Sequence, residues 1–417
     1  MAIKRVVLHL GMSKAGSTSI QQTLYKNTAI LEKSGFRYLT EWGDNHLPII
    51  HYLLSPHPVT PLASGHLGKS RANKKRHNQY YINTMLKVIN TTECETLILS
   101  GDYFHEFYLD SIIDSLKEFI KKYFYDNAIE VSIIYLIRNP LTWMVSYLQQ
   151  RLSKDGYVNK NCDFFEFRMQ QYMGVINLKK YFSDSLILLK FEDSCLDKDG
   201  LVGCFLKAIN FPEKELKNIN IFKLNDARCL EVLEFLFHIE TIEPRYPYKD
   251  YKRSNPYRFL GDLLPLRDIK GIKYDLPYHS KIEFWNRFQE TIRLLKEDTG
   301  IDYTDYSISP SPNEETYSEE TIQGFIDVFP KLSIVLQGHF LKFFEKKYME
   351  TTQERFKKLY FRDSIPWNIY NKKNIFICYL CLHVKKILGR MKRAPSNIIP
   401  YPIIRSFKRK VIGGKNT

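Results

Sequence analysis

A chain of 417 residues with 44% hydrophobic and 26% charged side chains can bury a full core, which excludes an intrinsically disordered polymer. Its seven cysteines are scattered and odd in number, so they form no disulfide framework and fit a reducing compartment. The net charge of +15 sits at one end: from Ser364 onward there are twelve Lys and Arg and no Asp or Glu, and removing those twelve leaves about +3 for the rest.

The first apolar run, residues 5–10, is too short for the core of a secretory signal and leads straight into a glycine-bearing turn, so it reads as a strand. A helix is predicted over 20–33 and a second strand over 36–39. A basic cluster (Lys69, Arg71, Lys74, Lys75, Arg76) follows and reads as a solvated helix face or loop. Residues 96–100 form a third strand, 109–123 a helix, 131–137 a fourth strand, 143–152 a helix and 186–191 a fifth strand. Beyond them the spacing is helical over 201–209, 229–239, 281–297 and 319–348. Near-continuous apolar strands alternating with helices predict an α/β fold, a doubly wound and mainly parallel sheet with a helical second half. The expected organisation is one domain over residues 1–350 and a basic, partly apolar tail over 351–417. No stretch of about 20 apolar residues occurs, so no spanning helix is expected.

Ligands of such sheets bind at the carboxyl ends of the strands, so the segments that directly follow strands matter most. The first is Leu10-Gly11-Met12-Ser13-Lys14-Ala15-Gly16-Ser17-Thr18-Ser19. A strand-to-helix turn presents backbone N–H groups and the positive end of the helix dipole, an anion cradle. Gly16 permits close approach, Lys14 adds a point charge, and Ser17, Thr18 and Ser19 add hydroxyl donors. A nucleoside-triphosphate loop places Lys after its last glycine, followed by a Ser or Thr that holds magnesium. Here Lys14 precedes Gly16, and no metal-holding acid directly follows an apolar strand. The second segment is Arg138-Asn139-Pro140, with Trp143, Ser146 and Tyr147 on the helix after it. An arginine at a strand's carboxyl end can fork onto a phosphate, and Ser146, two helical turns on, can close on the same group.

The order Lys-x-Gly-[Ser/Thr]-Thr, then Arg138 with Ser146 eight positions later, resembles the sulfotransferases that use 3′-phosphoadenosine 5′-phosphosulfate, in particular bacterial glycan-type members. Phe191-Glu192-Asp193 is similar to the Tyr-Glu-Asp that follows the corresponding strand of that family. The likeness covers roughly residues 3 to 200 and extends loosely to about Tyr348. It implies that Lys14, Ala15, Gly16, Ser17, Thr18 and Ser19 bind the 5′-phosphosulfate, that Arg138 and Ser146 grip the 3′-phosphate, and that no metal is needed. A basic glycine-rich segment used by cytosolic small-molecule members is not evident, which favours a glycan or lipid-linked sugar as acceptor.

Such a transfer needs Lys14 against the leaving phosphate oxygen and a base for the acceptor proton. Asp102, directly after the third strand in Ser100-Gly101-Asp102, is placed first, although related bacterial sequences show Ser-Ser-Glu there. His105 is second, with an ordinary pKa suited to proton transfer, and His46 third. Cys378 and Cys381 lack a second ligand pair for zinc. Alternatives are a kinase-like phosphate-loop enzyme and a non-catalytic polyanion-binding protein. Nucleic acid is not an expected partner, because a groove reader spreads its basic residues over the fold. The tail pairs apolar residues with clustered charge, as in Ile375, Phe376 and Ile377 near Lys385 and Lys386. It is therefore expected to meet an anionic membrane surface, with the enzyme cytoplasmic and peripheral on the inner face.

Overall fold

The computed structural model describes residues 2–54, 71–101, 105–150, 164–223, 228–242, 264–310, 317–332, 336–340 and 342–344. Five strands occur among them: β1 (Arg5–His9), β2 (Phe36–Tyr38), β3 (Thr96–Ser100), β4 (Glu130–Ile137) and β5 (Leu186–Lys190). They make one sheet in the order β2-β3-β1-β4-β5, and every neighbouring pair is parallel. All of β3 is buried, as are the last four residues of β1 and the last five of β4. Strands covered on both faces leave no solvent side for polar residues, which is why these read as near-continuous apolar runs.

The helices that cover the sheet start with α1 (Ser17–Lys26), α2 (Thr28–Lys33), α3 (Leu47–Leu54) and α4 (Arg71–Thr91). They continue with α5 (Asp110–Tyr123), α6 (Pro140–Gln150), α7 (Phe164–Phe182), α8 (Phe191–Leu196), α9 (Gly200–Ala208) and α10 (Glu213–Leu216). With α12 (Tyr278–Thr299) they belong to a first compact unit, Met1–Ser153, Val158–Ala227 and Tyr274–Asn313. A second unit, Lys154–Tyr157, Arg228–Lys273 and Glu314–Thr417, holds α11 (Leu230–Ile242) and α13 (Glu319–Val328). Its own core is aromatic: Phe325 lies 5.7 Å from Phe340 and 5.1 Å from Phe344, ring to ring, and Phe235 lies 5.6 Å from Phe340.

Three expectations are corrected. The helix expected over 20–33 is two helices, because the Asn27 side chain donates to Thr23 O at 2.7 Å and Asn220 O at 2.9 Å and accepts from Asn220 N at 2.9 Å. A side chain that offers the backbone such partners competes with the helical ladder. The stretch 319–348 is not one helix: α13 ends at Val328 and Pro330 occupies a 3-10 turn, Phe329–Lys331. Phe191 opens α8 rather than closing the fifth strand. Helices α3 and α7 were not expected from spacing, and Arg71, Lys74, Lys75 and Arg76 of the basic cluster lie on α4. Lys69, Asp102, the Cys378/Cys381 pair and the tail from 351 lie outside the described residues.

Candidate functional site

In this strand order the chain leaves β1 toward β2 on one side and leaves β4 toward β5 on the other, although β1 and β4 are neighbours. The crevice at their carboxyl ends is the topological switch point, where such sheets hold ligands. Leu10 N donates to Ile134 O at 3.0 Å and Met12 N to Leu136 O at 3.3 Å, so β1 stays tied to β4 until the loop turns away.

The turn is made by two left-handed residues, Lys14 at φ 63° and Gly16 at φ 80°. Only glycine fits at 16, since a Cβ there would overlap the Leu201 side chain and lie 3.4 Å from the Phe191 ring. Helix α1 begins at the next residue with no acidic side chain in its first turn, and the N–H groups of Ser19 and Ile20 close onto Gly16 O at 3.0 and 3.3 Å. Ser17 is buried, Lys14 and Ser19 are half-buried and Thr18 is exposed. Ser13 is only 5% exposed, and its hydroxyl has no partner among the described residues. An orphaned buried hydroxyl within an anion cradle fits a ligand that completes it.

The second segment meets the first directly. Arg138 Nη1 donates to Lys14 O at 2.6 Å, and Trp143 Nε1 donates to Ser13 O at 2.8 Å. Two consecutive loop carbonyls are thus held by donors from the β4–α6 corner. Burial pushes the Arg138 pKa down and Glu192 opposes this, but a guanidinium remains a cation at any ordinary pH. Its plane lies 4.6 Å over the Phe191 ring, a cation–π contact. Arg138 Nη2 has no bond among the described residues and is the donor left for a ligand. Ser146, half-buried on α6, likewise has no side-chain hydrogen bond among them. The helix itself is capped by Asn139, whose Oδ1 accepts from Leu141 N at 2.9 Å and Thr142 N at 3.3 Å, with Pro140 at the first helical position.

Of the three base candidates, His46 and His105 fall within described segments. His46 is fully buried, with Nδ1 accepting from Ser100 N at 3.0 Å and Nε2 donating to Gly43 O at 3.2 Å. Both ring nitrogens are engaged, and burial lowers the pKa to about 3, so the ring is neutral and structural in this arrangement. His105 opens a 3-10 turn, His105–Tyr108, that packs on α7. Gly174 makes that approach feasible, because a Cβ there would stand 3.0 Å from Phe107 Cβ, and Asn177 Nδ2 secures the turn on Phe107 O at 3.2 Å. Asp102 lies just past Gly101, whose N–H donates to His9 O at 2.9 Å.

His9 was missed by sequence reasoning, although a polar residue closing an apolar strand was a usable signal. It is fully buried, its Nδ1 lies 2.8 Å from Ser100 Oγ, and its Nε2 has no partner among the described residues. That nitrogen leans toward the loop, where a Cβ on Gly11 would come within 2.9 Å of it. Tyr172 and Tyr303 were missed as well: their hydroxyls donate to Arg138 O at 2.8 Å and Ile137 O at 3.0 Å, fixing the end of β4. Among the described residues there is no group of three or more His, Cys, Asp or Glu able to hold a metal ion, and no helix long and apolar enough to cross a membrane.

No protein-family model matches the chain, and no curated protein matches it. Among solved structures, a sulfotransferase domain from the curacin biosynthetic pathway is similar to it at 12% identity and a TM-score of 0.32, over 54% of this chain and 80% of that chain. A likeness of that size carries no activity from one protein to the other.

Proposed function

We propose that this chain is a sulfotransferase that moves a sulfuryl group from 3′-phosphoadenosine 5′-phosphosulfate to a carbohydrate hydroxyl. The observation that carries this reading is the 2.6 Å bond from Arg138 to the carbonyl of Lys14. It joins an anion-binding loop and a strand-end cation at one switch point, as a donor with two separate anionic groups requires. Lys14, Ala15, Gly16, Ser17, Thr18 and Ser19 then take the 5′-phosphosulfate, and Arg138 with Ser146 takes the 3′-phosphate. In the reaction the acceptor oxygen bonds to sulfur as the bond from sulfur to the phosphate oxygen breaks. The acceptor proton passes to the base, and Lys14 meets the charge that develops on the departing bisphosphate. Asp102 is ranked first as base, His105 second and His46 third, since His46 would have to release a bond to act. The acceptor is a glycan or lipid-linked sugar, and no metal takes part.

Adenosine 3′,5′-bisphosphate should raise the melting temperature without magnesium, and ATP should do so weakly or not at all. Arg138→Ala should weaken the bisphosphate roughly tenfold to a hundredfold, the range expected for a charge-assisted hydrogen bond. A preference for ATP with magnesium would replace the assignment by a kinase-like one.

A further inference from the structure

The guanidinium of Arg138 is not held by a carboxylate directly. Its hydrogen bonds among the described residues go to Thr142 Oγ1 and Lys14 O, although Glu192 is close enough to act on its pKa. The link runs through a hydroxyl instead. Arg138 Nε donates to Thr142 Oγ1 at 3.1 Å, and Thr142 Oγ1 lies 2.9 Å from Glu192 Oε1 and 3.2 Å from Asn139 O. A threonine hydroxyl has one hydrogen, and the shorter, charge-assisted bond to the carboxylate claims it. Its lone pair is then turned toward Arg138 Nε.

Glu192 is itself fixed from three sides. Its Oε1 also accepts from Asn139 N at 3.0 Å, and its Oε2 lies 3.2 Å from Tyr303 OH, whose single hydrogen is shared with Ile137 O at 3.0 Å. The two partners come from the β4–α6 corner and from the segment after α12. The relay therefore occupies the Nε edge of the guanidinium, Lys14 O takes one Nη1 hydrogen, and the Nη2 edge remains for a ligand.

The geometry points to Thr142 as a positioning residue that, backed by Glu192, aims the Nη2 edge of Arg138 at the 3′-phosphate and so sets the preference for a 3′-phosphorylated nucleotide. The inference rests on the donor assignment above. A direct Glu–Arg pair would neutralise the phosphate-binding edge, whereas a hydroxyl between them transmits orientation and leaves that edge cationic. Thr142 is half-buried on α6 and not part of the close-packed core, so its hydroxyl can be removed with small cost to folding.

The test is calorimetric binding of adenosine 3′,5′-bisphosphate and of adenosine 5′-monophosphate to wild type, Thr142→Val and Thr142→Ser. Thr142→Val should weaken the bisphosphate about tenfold, the scale of one charge-assisted bond, and leave the monophosphate unchanged, while Thr142→Ser restores the wild-type preference. Equal affinity losses for both nucleotides, no loss at all, or no rescue by serine would overturn the inference while the donor assignment stands. A wild-type protein that does not distinguish the two nucleotides would remove the donor assignment and this inference with it.

Discussion

Two residues of the loop, Lys14 and Gly16, are held where most side chains are unfavourable, and they answer to different needs. Gly16 is required twice over, by its left-handed φ of 80° and by the Leu201 side chain that fills the place of a Cβ. Lys14 is left-handed at 63° with a full side chain, a local cost that the proposed contact of its ammonium with the donor would account for. Gly16→Ala should therefore destabilise by roughly 2–5 kcal/mol, combining about 1–2 for the left-handed backbone with about 1–3 for overpacking. Repeating the substitution in a Leu201→Ala background separates the two. There the added cost of alanine at 16, read from urea unfolding against Leu201→Ala alone, should shrink to the backbone part. An undiminished cost would show that Leu201 does not set the limit.

At the level of elements, the end of β3 is held by two buried neutral histidines, His9 from β1 and His46 from the loop after β2. His46 spans Ser100 N and Gly43 O, and His9 pairs with Ser100 Oγ, so the strand end that leads to Asp102 is held from both sides. Burial lowers the pKa of each to about 3, against about 6.5 in an unfolded chain. Below pH 6.5 the unfolded chain takes up protons that the native state refuses, so stability is complete above that pH and falls as the pH drops toward 3. The slope is about 1.4 kcal/mol per pH unit for each histidine, or on the order of 2 kcal/mol each between pH 6.5 and 5. Urea midpoints at pH 7, 6 and 5 should decline accordingly, while the two imidazole resonances of the folded protein stay neutral. An imidazole at either position titrating near 6.5 would contradict the burial. The same junction shows what a sequence can reveal. The strands were legible because burial on both faces makes them apolar throughout, and the loop and Arg138 were legible because each directly follows a strand. The break at Asn27 was not, since its cause is Asn220, 193 positions away. Nor were the contacts of Glu192 with Tyr303, 111 positions away, and with Thr142, 50 positions away.

For the whole molecule, the charge distribution separates two tasks. Residues 1–363 carry about +3 of the total +15, so attraction to an anionic surface is not a property of the whole chain. The last 54 residues carry twelve Lys and Arg with no acid, interleaved with apolar groups such as Ile398, Ile399, Ile403 and Ile404 beside Arg405, Lys408, Arg409 and Lys410. These residues lie outside the described structure. Each basic residue near an anionic leaflet contributes roughly 1 kcal/mol, and the apolar neighbours add burial in the interface. A lipid-linked sugar acceptor would give such attachment a purpose, because it places enzyme and acceptor on one surface. Sedimentation with vesicles compares the full chain with a chain ending at Asp363. The full chain should pellet with anionic vesicles at low salt and be released at high salt, as screening over about 10 Å at 0.1 M demands. It should ignore neutral vesicles, and the shortened chain should stay in solution with both. Equal behaviour of the two chains would assign the tail's charge to something other than membrane attachment.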